Sequence, residues 1–261
     1  MSSRYIGIAA IKFKRLVDYL QRIGLDVQVI AKSAGLSVEA IQQAPDESIL
    51  SAYDYSKLFK QSVLAMQTLR RPLPWAAGVG SEIFEMLCRC LIGCKTLGEA
   101  LNRAQRFDAL LYPISGYKIS VHQNQGFCHL KYHIDPLNVD KVFIPADWDR
   151  YDSYDTIIKA SGLLVWHALC GWLIGRTIEA HLLQISAPEV GEAYTISVEK
   201  LIDCSVKFDA EINQLVFAEE FLDFRLVQTA ESLEEFLKNT VYELILSEKK
   251  PQALARQLSH W

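Results

Sequence analysis

Three cysteines, three histidines and three aspartates are the groups in this 261-residue sequence with the spacing to suggest a metal. Cys88, Cys90 and Cys94 fall in and just after one helical stretch. On a helix Cys88 and Cys90 point about 200° apart and cannot share an ion. A fourth ligand is missing as well, so they read as small buried side chains. His129 and His133 share a strand face but sit about 13 Å apart along it. His122 could approach His129 diagonally across a hairpin, yet two imidazoles alone make a poor site, and a solvated face is the default. Asp147, Asp149 and Asp152 resemble the start of a calcium loop. Tyr151 takes the third ligand position and no glycine follows, so that reading fails. Gly78 and Gly80 make half a dinucleotide fingerprint and follow no strand, and neither a Gly-x-Ser-x-Gly nor a phosphate loop occurs. No nucleophile–base pair emerges, which argues against an enzyme and implies no cofactor and no metal.

Two other places could bind a small molecule. His167 lies between Trp166 and Ala168 in the most apolar segment, where a polar group needs a partner. It reads as a satisfied core histidine or as a ligand contact. Arg103 and Arg106 lie on the polar side of a helix, where surface solvation is the plain reading.

The elements that would position these groups centre on residues 80–134. Ile83, Leu87 and Leu91 recur four apart, one face of a helix. Thr96-Leu-Gly-Glu99 reads as a capping box opening a second helix, which Pro113 should stop. The period then changes to two: Tyr117, Ile119 and Val121 alternate with polar residues, as do Cys128, Leu130, Tyr132 and Ile134 after Gln123-Asn-Gln-Gly126. Before this unit, helices are expected over about 8–23 and 53–69. Between them Val27–Ile41 has the look of a helix-turn-helix whose second helix carries no Lys or Arg, so packing suits it better than base readout. After the hairpin comes an irregular acidic stretch, then Ile157–Ile174, apolar nearly all round. The apolar run of about 16 residues within it falls short of the roughly 20 needed to span a bilayer. Strands are expected at 180–186, 205–208 and 213–217, short helices at 197–202 and 232–246. Half the residues are apolar, enough for a real core, and a net charge of −4 gives no bulk electrostatic case for nucleic acid. Six irregularly spaced cysteines without a signal peptide suggest reduced thiols and a cytoplasmic home.

Taken in order, several of these motifs resemble one family. Thr96-Leu-Gly-Glu-Ala-Leu101, leading through Arg106-Phe107 into the hairpin, is similar to a block of the arabinose-binding-like N-terminal region of AraC-type transcription regulators. Val206-Lys-Phe208, Asn213-Gln-Leu-Val-Phe217 and Phe221-Leu222 resemble its second block, and Leu233-Glu-Glu-Phe-Leu237 its closing helix. Gly24-Leu-Asp26 and Gly35-Leu36 match its helical opening. The resemblance implies effector sensing, dimerisation, or both. DNA would then be contacted only through a C-terminal helix-turn-helix domain, with Lys249–Trp261 as linker and first residues of that domain.

The expected fold is α+β: a helical N-terminal subdomain (1–78), then an effector-sensing domain (79–247) with a small antiparallel sheet packed on a long buried helix, then 248–261. The expected partners are a small-molecule effector and a second copy of the chain, with no membrane. A protein-interaction module without ligand and a stand-alone enzyme stay as rivals. The expected effector pocket lies where a sheet face meets the Ile157–Ile174 helix. Trp166 and His167 would supply a wall and an anchor, Tyr112 a second wall, Arg106 a counter-charge to an anion, and Trp75 a closing loop.

Overall fold

The computed structural model describes residues 7–68, 76–134 and 153–244. The N-terminal part is built on four helices, α1 (Ala10–Arg22), α2 (Val27–Ser33), α3 (Val38–Gln43) and α4 (Ala52–Thr68). α1 ends as glycine placement predicts. Gly24 takes a left-handed φ of 83°, and Leu25 N donates back to Leu20 O at 3.0 Å. Asp26 and Ser37 cap α2 and α3 by accepting from backbone N–H groups. Val27, Ile30, Ala31, Val38 and Ile41 are buried, while α3 turns Glu39, Gln42 and Gln43 outward. Two strands of three residues, β1 (Gly7–Ala9) and β2 (Ile49–Ser51), pair antiparallel beside these helices. They escape pattern reading because three residues show no period.

A 3₁₀ turn (Ala76–Gly78) and α5 (Glu82–Leu91) lead to α6 (Leu97–Ser115). At the start of α6, Thr96 Oγ1 accepts from Glu99 N at 3.3 Å, and Glu99 reaches back to Lys95 N at 2.9 Å. Pro113 does not end α6. It sits inside the last turn, where its missing N–H removes one intrahelical bond, and Gly116 ends the helix with a φ of 73°. The hairpin follows as β3 (Tyr117–Asn124) and β4 (Phe127–Ile134), joined by the two-residue turn Gln125-Gly126 with φ of 51° and 82°.

α7 (Ser153–Ile174) leads to β5 (Ala180–Gln184), α8 (Glu192–Ile202), β6 (Val206–Lys207) and β7 (Gln214–Ala218). The main sheet runs β3-β4-β7-β5-β6. It is mixed rather than antiparallel throughout: β5 pairs parallel with β6, because α8 carries the chain back to the same end of the sheet. A second 3₁₀ turn (Glu219–Asp223) leads to α9 (Ala230–Lys238). The closing helix expected as one piece breaks at Asn239 and resumes over 240–244, with Lys60 Nζ donating to the freed carbonyls of Leu237 and Lys238.

α7 is the centre of the core. The stretch Asp155–Ile174 is long and apolar enough to cross a membrane, and 72% of it is buried inside the molecule. Its neighbours are the inner sheet face, α6 and the first 3₁₀ turn. Buried side chains from Phe13 to Leu244 form one apolar cluster spanning the helical part and the sheet. The stretches 135–152 and 245–261, with the three aspartates and Lys249–Trp261, lie outside the described residues.

Candidate functional site

α6 lies along the open edge of the sheet and satisfies it. β3 is an edge strand, so alternate N–H groups point away from β4 and need partners. Tyr117 N donates to Ser115 Oγ (3.4 Å), Ile119 N to an Asp108 carboxylate oxygen (3.2 Å) and Val121 N to Gln105 Oε1 (3.2 Å). Asp108 is 3% exposed, and burial pushes its carboxyl up to about 7 despite the opposing Ile119 bond. Asp108 takes the buried position on this helix face because an edge strand needs an acceptor there.

The hairpin so anchored faces two ways. Inward, Tyr117, Ile119, Cys128, Leu130 and Tyr132 are buried. The Tyr132 ring lies against α7 at Gly162, where an added Cβ would stand 2.2 Å from Cε1, so only glycine leaves room. Outward, Lys118, Ser120 and His122 stand opposite His133, Lys131 and His129. His122 is thus directly across from His129, not diagonal to it, and His129 Nδ1 lies 3.3 Å from Gln214 Oε1. Among the described residues no three His, Cys, Asp or Glu side chains are grouped to hold a metal. Cys88 and Cys94 are buried and Cys90 half-buried; burial raises the Cys88 and Cys94 thiols, Cys88 most strongly.

An open-sided groove of about 430 Å³ forms where the Ile134 end of β4 meets α7. Sites for small molecules run from about 300 to 1,000 Å³. Tyr112, Lys118, Lys131, Tyr132, Lys159 and Asn213 make its chemistry, with His133, Ser186 and Glu211 beside them. Lys118 Nζ sits 4.4 Å above the Tyr112 ring, a cation–π contact. Lys159, from α7, donates to Asp155 Oδ2 (2.6 Å) and Ser186 O (2.7 Å). His133 Nε2 is 3.1 Å from Ser120 Oγ, and burial, then Lys118, Lys131 and His122, depress its proton affinity. Asn213 is 7% exposed. Its Nδ2 donates to Tyr132 O at 3.1 Å, which fixes the amide and leaves Oδ1 buried without a partner. A second cavity, between α4, α5 and α9, holds only about 60 Å³ and suits a water or two.

Of the five residues expected to meet at an effector, the four that are described do not share one pocket. Tyr112 lines the groove. Arg106 is exposed on the outer side of α6 and lines an open depression of about 470 Å³ with Glu99, Asn102 and Arg103. Trp166 and His167 are buried on α7, 2% and 3% exposed. His167 Nε2 meets Ile178 O at 2.8 Å; its Nδ1 and the Trp166 Nε1 have no partner. Burial depresses the imidazole's proton affinity, against the bond to Ile178. Trp75 lies outside the described residues. Lys118, Lys131, Lys159 and Asn213 are not among the site residues that the sequence singles out. The two hairpin lysines were legible in principle, since a two-residue turn fixes the register that brings them together. Lys159 and Asn213 depend on tertiary packing.

The family described as the arabinose-binding domain of AraC transcription regulators, N-terminal, matches residues 24–226. No curated protein sequence matches the chain. Among solved structures, the transcriptional regulator CdpR from Pseudomonas aeruginosa is similar over 91% of this chain and 65% of its own, at 16% identity and a TM-score of 0.43. The chain therefore spans less than two thirds of that regulator.

Proposed function

The chain belongs to the arabinose-binding-domain family of AraC-type transcription regulators, and from that premise we propose that it senses a small effector in the groove between the hairpin and α7. In this reading it is a non-catalytic regulatory domain, acting in the cytoplasm as a homodimer. Binding would change how a DNA-binding domain attached in the full regulator meets its operator. The observation that supports the groove is its lining: a cavity of ligand size walled by Tyr112, Tyr132 and Ile212 and edged by Lys118, Lys131 and Lys159. Arg106 and the Trp166–His167 pair then act in packing and surface roles rather than as direct contacts.

Thermal-shift measurement against a metabolite panel tests this. A ligand at a hundred times its Kd adds about 2.7 kcal/mol of stability, a shift of several degrees for a domain of this size. The shift is expected to vanish in Tyr112→Ala and persist in Arg106→Ala. A shift that survives Tyr112→Ala and Asn213→Ala, both folded, moves the effector elsewhere.

A further inference from the structure

Charge is unevenly distributed in this acidic chain. It carries 31 Asp and Glu against 27 Lys and Arg, yet the five strands of the main sheet contain no acidic residue. They contain Lys118, Lys131, Lys207, His122, His129, His133 and His181 instead. Register places Lys118 opposite His133 and Lys131 opposite Ser120, so both ammonium groups rise from neighbouring pairs on one face at the groove.

Among the described residues the acids that oppose them are few. Asp155 is engaged by Lys159 on α7. Glu211 lines the groove and forms no ion pair among the described residues. Among the described residues, three lysines stand against these two carboxylates, one net positive charge while His133 is neutral. That His133 feels Lys118, Lys131 and His122 as unfavourable neighbours, with no acid relieving it, is the same imbalance sensed from inside. Tyr112, Tyr132, Ile134 and Ile212 supply apolar wall between the charged and the neutral ends.

We infer that the groove takes a small organic carboxylate, its carboxylate held between Lys118 and Lys131 and its apolar part against Tyr112 and Ile212. This rests on the groove being the effector site, and it replaces Arg106 as the counter-charge.

The test uses the full 261-residue chain, isotopically labelled, with backbone amide signals of Lys118, Lys131, His133 and Asn213 followed by NMR. The probes are lactate and 4-hydroxybenzoate, each against its neutral amide, with inorganic phosphate as a second kind of oxyanion. At least one hydroxycarboxylate is expected to move the groove signals and to bind more tightly than its amide and than phosphate. Lys131→Gln should weaken that binding roughly tenfold or more, as loss of one charge-assisted hydrogen bond does. Lys207→Gln, on the same sheet but outside the groove, should leave it unchanged. Amides that bind as well as acids, tighter binding of phosphate, or no groove response to any carboxylate would overturn the carboxylate assignment. The two readings separate on the panel of the preceding section: a neutral effector moving these signals keeps the groove and sinks only its chemistry, whereas an effector that stabilises the chain with the groove signals still sinks both.

Discussion

The helical part before residue 68 and the layer made by the main sheet with α6 and α7 bury different things. In the first, the buried polar side chains are two serines, Ser56 and Ser62, and Ser62 Oγ simply donates to Leu58 O one turn back. The second buries Asp108, Ser115, Thr156, His167, Asn213 and Gln214. Most of these hold a defined backbone partner, as Thr156 holds Pro188 O at 2.7 Å. Others keep an atom unpaired: Asn213 Oδ1, His167 Nδ1 and Trp166 Nε1. An apolar core tolerates any packing of the right volume, whereas a polar one works only in one arrangement. The difference locates specific chemistry in the second region and support in the first.

Breaking the apolar side of that contrast should give the largest effect. Phe13→Ala, which empties a 1%-exposed site in the helical part, is expected to cost about 3–5 kcal/mol. Urea denaturation should give the same loss at pH 5 and pH 8, since no titrating group is involved; a pH-dependent loss would erase the distinction.

Asp108→Asn probes the polar side. The folded carboxyl titrates near 7, well above its unfolded value. Its contribution to stability is therefore complete below about pH 4 and is lost as pH rises through 7. Asparagine keeps the acceptor for Ile119 N, so at pH 8 the variant should be the more stable protein by up to about 4 kcal/mol. The advantage should fade towards pH 4 in a denaturation series, and equal stability at pH 8 would show Asp108 to be solvated.

His167 should slope the other way. Its folded proton affinity is depressed, so stability is full above about 6.5 and declines as pH falls below it. His167→Gln retains a donor for Ile178 O and should shift stability at pH 8 by no more than about 1.5 kcal/mol, while flattening the acid limb. An unchanged acid limb would assign the decline to another group. The smallest effect belongs to Arg106→Ala, an exposed position, where a melting curve should report a change within about 0.5 kcal/mol.

Legibility followed the same divide. The hairpin could be read because eight residues on each strand alternate cleanly and a left-handed Gln-Gly turn fixes their register. Helix starts could be read from Asp26, Ser37, Ser81 and Thr96, each of which caps as its side chain allows. The buried helix α7 announced itself by lacking a polar face. Pairings set by long-range packing could not be read: the short β1–β2 ribbon, the parallel β5–β6 pair, and the burial of Asp108 against an edge strand. For the site, composition pointed to aromatic and cationic residues but could not choose among them. Arg106 and Lys118 look alike in a sequence, and only the fold turns one outward and the other into the groove.

The seam between α6 and β3 also works as a measuring device. Going back along the helix from Ser115 through Asp108 to Gln105 covers ten residues, about 15 Å at helical rise. Going forward along the strand from Tyr117 through Ile119 to Val121 covers four, about 14 Å at strand rise. The two rulers agree, which is why three side chains meet three consecutive outward N–H groups. One residue inserted in that half of α6 would swing Gln105 and Asp108 by about 100°, and one inserted in β3 would turn its inner residues outward. Chain length is therefore frozen between Gln105 and Val121.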